Sequence, residues 1–135
     1  MSVLTLSEHE RLAIVGEAPG LLELEASYDP GGSPPPAHYH PSQDEHFEVL
    51  QGSVRVRTPD GERDLKTGET IDIPRGTVHQ FWNAGAAPAR VRWEVRPALR
   101  TAAFFAAIAN ARTPLGKVVA VVRFRREFRL GRLSR

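Results

Sequence analysis

His38 and His40, with Glu45 and His79, are the residues of this chain whose types and spacing can do chemistry together. In an extended strand, side chains two apart share a face, so His38 and His40 project to one side while Tyr39 turns away. Glu45 follows five residues after His40, at the start of a run of alternating apolar residues, where its carboxylate can close on the same point. Three ligands from one short stretch leave a metal needing a fourth. His79, in a second run punctuated by glycine and proline over residues 68–83, can supply it. Three imidazoles and a carboxylate suit a divalent transition metal with open positions, whether iron, manganese, nickel, cobalt, copper or zinc. A lone inward histidine is usually a satisfied core residue, but three converging with a glutamate are a different situation. His46 faces the other way by alternation and reads as surface or interface, and His9 carries no signal.

The elements that must carry these groups read as strands. Leu4, Leu6, Leu12, Ile14 and Val15 suggest one or two short strands, and Ala18-Pro19-Gly20 turns the chain. Leu22, Leu24 and Ala26 alternate with Glu23, Glu25 and Ser27, the period of a half-buried strand. Pro30, Pro34, Pro35 and Pro36 then exclude helix and cannot donate to an inner ladder, which makes this stretch a stiff lead-in to the histidines. Glu45, Phe47 and Val49 share a face, Gln51-Gly52 turns, and Val54 and Val56 alternate with Arg55 and Arg57. Pro59-Asp60-Gly61 is a hairpin signal. Ile71 and Ile73 alternate, Pro74-Arg75-Gly76 turns, His79 shares a face with Phe81, and Val91, Trp93 and Val95 oppose Arg90, Arg92, Glu94 and Arg96. Short strands punctuated in this way predict an all-β barrel or sandwich over residues 1–97.

After Pro97 the period changes. Thr101 stands where an N-cap belongs, and Phe104, Phe105, Ile108 and Ala111 fall at helical spacing. Phe104, Phe105 and Ile108 can pack on the chain's own barrel or across a subunit interface. Thr113-Pro114-Leu115-Gly116 ends that helix. Val118, Val121, Val122, Arg125 and Phe128 fit a second, basic amphipathic helix, although the β-branched cluster leaves a strand open. Residues 98–135 are therefore expected to form an extension of one or two helices packed outside the barrel, not an independent domain.

A length of 135 residues is enough for one domain with a core. The absence of cysteine excludes a disulfide framework, a cysteine-based zinc site and a thiol nucleophile. Glu8, Glu10 and Glu17 argue against a signal peptide. The longest apolar run, residues 102–109, is far short of the roughly 20 needed to cross a bilayer. A cytoplasmic protein without membrane attachment is expected. The net charge of +2 is uneven: residues 1–111 hold ten Lys/Arg and fifteen Asp/Glu, net −5, while residues 112–135 hold eight Lys/Arg and one acid, net +7. Such a basic tail can mean nucleic acid or anionic membrane. With no recognisable nucleic-acid module, it is read as docking on the acidic body of its own chain or a partner subunit, or as solvated, and no nucleic-acid partner is expected.

Gly32, five residues, His38-Tyr39-His40, four residues, Glu45, six residues and Gly52 resembles the first cupin motif. Gly68, five residues, Pro74-Arg75-Gly76, two residues, His79, three residues and Asn83 resembles the second, so all ten signature positions are filled. With Gly and Pro at only about 7% and 5% of average usage, chance agreement on this scale is negligible. The motifs cover residues 32–83, the flanking strands extend the likeness to about 4–97, and the tail from Arg96 to Arg100 is similar to that of small single-domain bacterial cupins with a C-terminal helical extension. The resemblance implies a jelly-roll β-barrel, with His38, His40, Glu45 and His79 as metal ligands pointing into its mouth, and a homodimer. Asn83 ends a strand, where its side chain can cap backbone groups, and is read as structural.

The inward phase brings almost nothing polar to these four ligands, since Arg55 and Arg57 fall on the outside. Tyr28 extends the Leu22/Leu24/Ala26 face and is the one further polar group near the mouth, although core packing is the commoner fate of such a tyrosine. Sugar isomerases and epimerases of this fold need polar groups for hydroxyls and a dedicated acid or base. A metal that itself activates substrate or dioxygen requires fewer, and Glu45 can double as ligand and base. The expectation is a metal-dependent oxygenase-type enzyme acting on a small, largely apolar or aromatic molecule, with quercetin-dioxygenase-like cupins the nearest analogy. The alternatives are a non-catalytic, metal-assisted small-molecule binding or sensor module whose tail contacts a partner, and a structural homodimer with a vestigial site.

Overall fold

The computed structural model describes residues 3–133; residues 1–2 of the expected 1–97 segment and 134–135 of the expected 98–135 segment lie outside the described residues. The chain runs β1 (Val3–Thr5), β2 (Glu10–Ala18), β3 (Leu21–Tyr28), β4 (His38–Tyr39), β5 (Asp44–Gln51), β6 (Ser53–Thr58), β7 (Gly61–Lys66), β8 (Thr70–Ile73), β9 (Gln80–Trp82) and β10 (Ala89–Arg96). Two helices follow, α1 (Thr101–Asn110) and α2 (Pro114–Arg123), and then a short strand, β11 (Arg129–Leu130). One antiparallel sheet has the order β1-β2-β3-β10-β5-β8, and a second has the order β7-β6-β9. The pair β11-β4 joins the second sheet through a bridge between His38 and His79. This is an all-β architecture of the kind that the alternation predicts, and the jelly roll that the resemblance implies.

Between the sheets lie Leu22, Leu24 and Ala26 of β3, Phe47 and Val49 of β5, Val54 and Val56 of β6, Phe81 of β9, and Val91, Trp93 and Val95 of β10. Phe47 stacks on Phe81 across the two sheets at 4.2 Å and on Trp93 at 5.2 Å. Burial of each such side chain is worth about 1.5–3 kcal/mol, so the interior alternation holds the strands in register. Ile71 is only half-buried, because β8 is the sheet edge. β7 carries no alternating pattern. The turn at Pro59-Asp60-Gly61 delivers it to β6, where Leu65 opposes Val54 and is fully buried. Gly52 has φ +73°, and a Cβ there would stand 2.5 Å from the Pro88 carbonyl, so that turn requires glycine.

The tail departs from expectation in three places. Thr101 is not the N-cap of α1. It is the first helical residue, and its hydroxyl is taken at 2.7 Å by the Gln43 side-chain amide, which also reaches the carbonyls of Pro97 and Ala98. α1 ends at Asn110, ahead of the Thr113-Pro114 stop as expected, and Thr113 in addition caps the next helix: its Oγ1 accepts from the Gly116 amide at 3.0 Å, with Pro114 in the first turn. α2 then stops at Arg123 instead of running on to Phe128, and it buries Ala120 while Val118 and Val122 stay 57% and 58% exposed. The remainder returns to the barrel as β11, because β4 is otherwise an edge with unpaired backbone groups. Phe104, Phe105 and Phe124 join the chain's own core, with Phe105 5.2 Å from Trp93.

Candidate metal centre

Backbone pairing between β4 and the start of β9 places the histidines. The His38 amide donates to the His79 carbonyl at 3.3 Å and the His79 amide to the His38 carbonyl at 2.9 Å, while the Gly76 amide holds the His40 carbonyl at 2.9 Å. One coordinating atom from each of His38, His40 and His79 lies within 4.8 Å of the others. Glu45, buried at the start of β5 opposite Val95 and Ile73, brings its Oε1 to 3.2 Å from His40 Nε2 and 3.1 Å from His79 Nε2. His40, Glu45 and His79 are 3%, 2% and 1% exposed, and His38 is half-buried. The structure thus brings together the three imidazoles that the sequence selects, and sets Glu45 against two of them, His40 and His79.

Each Nδ1 faces a backbone carbonyl: His38 that of Pro36 at 3.2 Å, His40 that of Glu127 at 2.6 Å and His79 that of Thr77 at 2.8 Å. A carbonyl only accepts, so each Nδ1 carries the proton and each Nε2 keeps its lone pair. Trp93 Nε1 donates to Glu45 Oε2 at 2.7 Å, which leaves Oε1 as the free oxygen. His40 Nε2 and Glu45 Oε1 are buried with no hydrogen-bond partner among the described residues. Acceptors facing one another in a buried site require a cation or a proton between them. Neutral imidazoles held by carbonyls, with a carboxylate, are the donor set of a divalent transition metal, so the residues present fit such an ion.

The electrostatics agree. Burial, and then the neighbouring imidazoles of His79 and His40, push His38 down to about 3, so it is a neutral donor at any ordinary pH. At His40 burial also works downward, but the Glu45 carboxylate outweighs it and the value rises. Burial would raise Glu45, yet His40 and His79 hold it well below the usual carboxylate range. Without a metal, a proton shared between His40 and Glu45 fills the gap, and a metal would displace it.

Tyr28 is buried on the interior face of β3, opposite Glu10 and Ala89. Burial, and then the carboxylates of Glu10 and Glu45, push its phenol well above the ordinary range, so it is a neutral hydroxyl. Asn83 is buried and tied to the Tyr28 and Ala87 carbonyls and the Gly85 amide, a structural role. Arg55 and Arg57 are outside, paired with Asp64 and Glu62, and His46 pairs with Asp72. Sequence reasoning missed the Glu127 carbonyl on His40, Phe128 stacked on His38 at 4.5 Å, and the Trp93 bond to Glu45. Only Glu127 left a signal, as the single acid of a basic tail that is nonetheless buried.

A two-sheet jelly roll with a histidine triad facing its interior defines a class of β-barrel proteins. The Cupin domain model matches residues 24–95, and the chain belongs to the cupin family. It is 37% identical over 60 residues to the tetracenomycin polyketide synthase protein TcmJ of Streptomyces glaucescens, covering 44% of this chain and 40% of that protein. It is 43% identical over 49 residues to the oxidoreductase iacF of Pestalotiopsis fici, covering 36% of this chain and 24% of that one. The chain therefore spans less than half the length of either. The structure of KdgF from Halomonas sp. superposes with a TM-score of 0.68 at 20% identity, covering 76% of this chain and 93% of that one, a likeness of fold. Among the described residues, no helix is long and apolar enough to cross a membrane.

Proposed function

We propose that the chain binds one divalent transition metal through Nε2 of His38, His40 and His79 and Oε1 of Glu45, and uses it for oxygen-dependent chemistry on a small, largely apolar or aromatic molecule. The observation that carries this reading is the buried, donorless meeting of His40 Nε2 with Glu45 Oε1. A bound metal would supply Lewis acidity and, for a redox-active ion, electron transfer with dioxygen. The chain's own part is to fix the donors and handle a proton. The carbonyls of Pro36, Glu127 and Thr77 hold the three rings, and Trp93 holds Oε2, which leaves Oε1 to ligate the ion through one lone pair and to accept a proton from a phenolic or enolisable substrate through the other.

The choice of substrate follows from what surrounds the site. Phe47, Phe81 and Trp93 line the interior, and the side-chain NH2 groups of the buried Gln43, Gln80 and Asn83 are committed to backbone carbonyls. Few groups remain to hold the hydroxyls of a sugar. The likeness to an oxidoreductase supports the oxygen chemistry, and the likeness to a polyketide synthase protein favours a second reading, metal-assisted ring closure without oxygen. Protein loaded in turn with iron, manganese, nickel, cobalt, copper or zinc is to be given a panel of phenols and 1,3-diketones in an oxygen electrode. Substrate-dependent oxygen uptake, lost in Glu45→Gln, is the expected result. Product formed equally well under nitrogen would select ring closure, and no conversion with any metal would overturn both.

A further inference from the structure

The surface that closes over the histidines comes from the end of the chain. Phe128 lies face to face with His38 at 4.5 Å and edge-on to His40 at 6.0 Å, and Phe104 of α1 stacks on it at 4.7 Å. Beside it, the Glu127 carbonyl holds His40 Nδ1, and the buried Glu127 carboxylate pairs with Arg100 at 3.1 Å. β11 then pairs with β4, Arg129 opposite Tyr39 and Leu130 opposite His38. Gly131 donates to the Ala37 carbonyl at 3.0 Å and packs so closely that a Cβ there would stand 2.8 Å from Val78 Cγ2. The covering residues, Arg100, Phe104 and 127–131, all lie outside residues 24–95, which match the family.

The attachment is short. β11 has two residues, both exposed, and it lies at a sheet edge. Two-residue edge pairings open at a small fraction of the global unfolding free energy, whereas Phe124, where the segment leaves α2, is buried in the core and stays fixed. His38 is the most exposed of the four converging residues, and Phe128 is the ring that covers it. We infer that residues 128–131 are a cover hinged at Glu127, whose carbonyl stays on His40, with Phe128 as the latch, so that a small molecule reaches the coordinating atoms only when β11 leaves β4. As a cover for a metal centre, it rests on the metal reading above.

Because the chain has no cysteine, Tyr39→Cys combined with Arg129→Cys places a single thiol pair across β4 and β11. Opposed antiparallel residues stand about 4.5–5.5 Å apart at Cα, within disulfide range. Carbethoxylation by diethyl pyrocarbonate, followed residue by residue by mass spectrometry, reads access to His38 in metal-free protein, with exposed His9 as internal reference. Oxidising the pair is expected to slow His38 modification relative to His9 by about tenfold or more, and dithiothreitol to restore it. Gly131→Ala, which pushes the segment off Val78 without touching a histidine, is expected to speed it. In Co(II)-loaded protein the oxidised pair should likewise slow azide binding, followed by visible absorption. Equal His38 rates in oxidised and reduced protein would overturn the cover. Failure to take up Co(II) would instead overturn the metal reading, and the metal-free comparison would still decide whether the segment covers His38.

Discussion

In β3, β5 and β10 every second side chain is buried, and each interior residue is placed by hydrogen-bonded neighbours on both sides. In α1 and α2 no ladder reaches the barrel. The tail docks through rings, Phe105 on Trp93 and Phe104 on Phe124 and Phe128, and leaves Leu115, Val118, Val119 and Val122 more than half exposed. Both regions end at the same histidines. The barrel fixes where the coordinating atoms point chiefly by backbone register, helped at His40 by the Glu127 carbonyl of the tail; the tail fixes what lies over them, by ring packing and the short β11–β4 pair. Ladder geometry tolerates loss of a neighbouring side chain, whereas ring packing does not, so the two contributions separate under mutation.

The largest effect is expected from His79→Gln, on the barrel side. Losing a partner one shell out from a metal costs about 10–100-fold in affinity, so losing a coordinating imidazole should cost more. Elemental analysis after dialysis against metal should find almost none, with the tail still docked by near-ultraviolet circular dichroism. Stoichiometric metal in that variant would mean that the barrel does not define the centre. Phe104→Ala, on the tail side, comes next. Phe104 is 2% exposed and touches three other aromatic rings, so its loss should cost about 3–5 kcal/mol in urea unfolding. Metal stoichiometry should not change. If metal is lost together with stability, the regions are not separable.

The same division explains what could be read from the residues alone. The alternation at Leu22-Leu24-Ala26, Glu45-Phe47-Val49 and Val91-Trp93-Val95 is local and binary, and the fold keeps it. The converging four were legible because residue type and spacing within two turns-and-strand units encode them. β7 was not, since Glu62, Arg63 and Asp64 show no apolar period; it exists because a turn presents it to β6, where Glu62 and Asp64 find Arg57 and Arg55. Nor was the bond on His40: its acceptor is a main-chain oxygen 87 residues away, and residue type does not encode a carbonyl. Phe128 sits at helical spacing from Phe124 and Val121, so a continued helix was the natural reading. Only the finished barrel reveals an edge at β4 that draws the chain into a strand.

Acid sharpens the barrel side further. Protons compete with metal for the imidazole lone pairs, so metal retained after dialysis should fall as pH drops. In the metal-free chain, His38 titrates near 3 when folded and about 6.5 when unfolded. Between those values the unfolded chain binds more protons, so stability falls as pH falls from about 6.5 towards 3. Glu45, lowered from 4.5, adds the same sign below that value. His40, which is raised, works oppositely: its contribution is complete below about 6.5 and is lost as pH rises through its folded value. His38→Gln should therefore flatten the acid side of the melting-temperature profile. An unchanged slope would mean that His38 is not desolvated.

The smallest difference compares two arginine–carboxylate pairs, one per region. On the barrel exterior, Arg55 holds Asp64 at 2.8 Å with both side chains well exposed, at 38% and 49%. In the tail, Arg100 holds Glu127 at 3.1 Å, but the Glu127 side chain is only 3% exposed. Arg55→Ala frees a carboxylate that water already solvates, and the melting temperature should stay within error of the parent. Arg100→Ala leaves a buried carboxylate without its cation, a loss of about 1–2 kcal/mol after allowing for the water that reaches the arginine side. The same change also loosens the residue whose carbonyl holds His40, so Arg100→Ala should weaken Co(II) binding slightly where Arg55→Ala does not. Equal effects from both variants would mean that the tail is held no more tightly at Glu127 than the hairpin is at its surface.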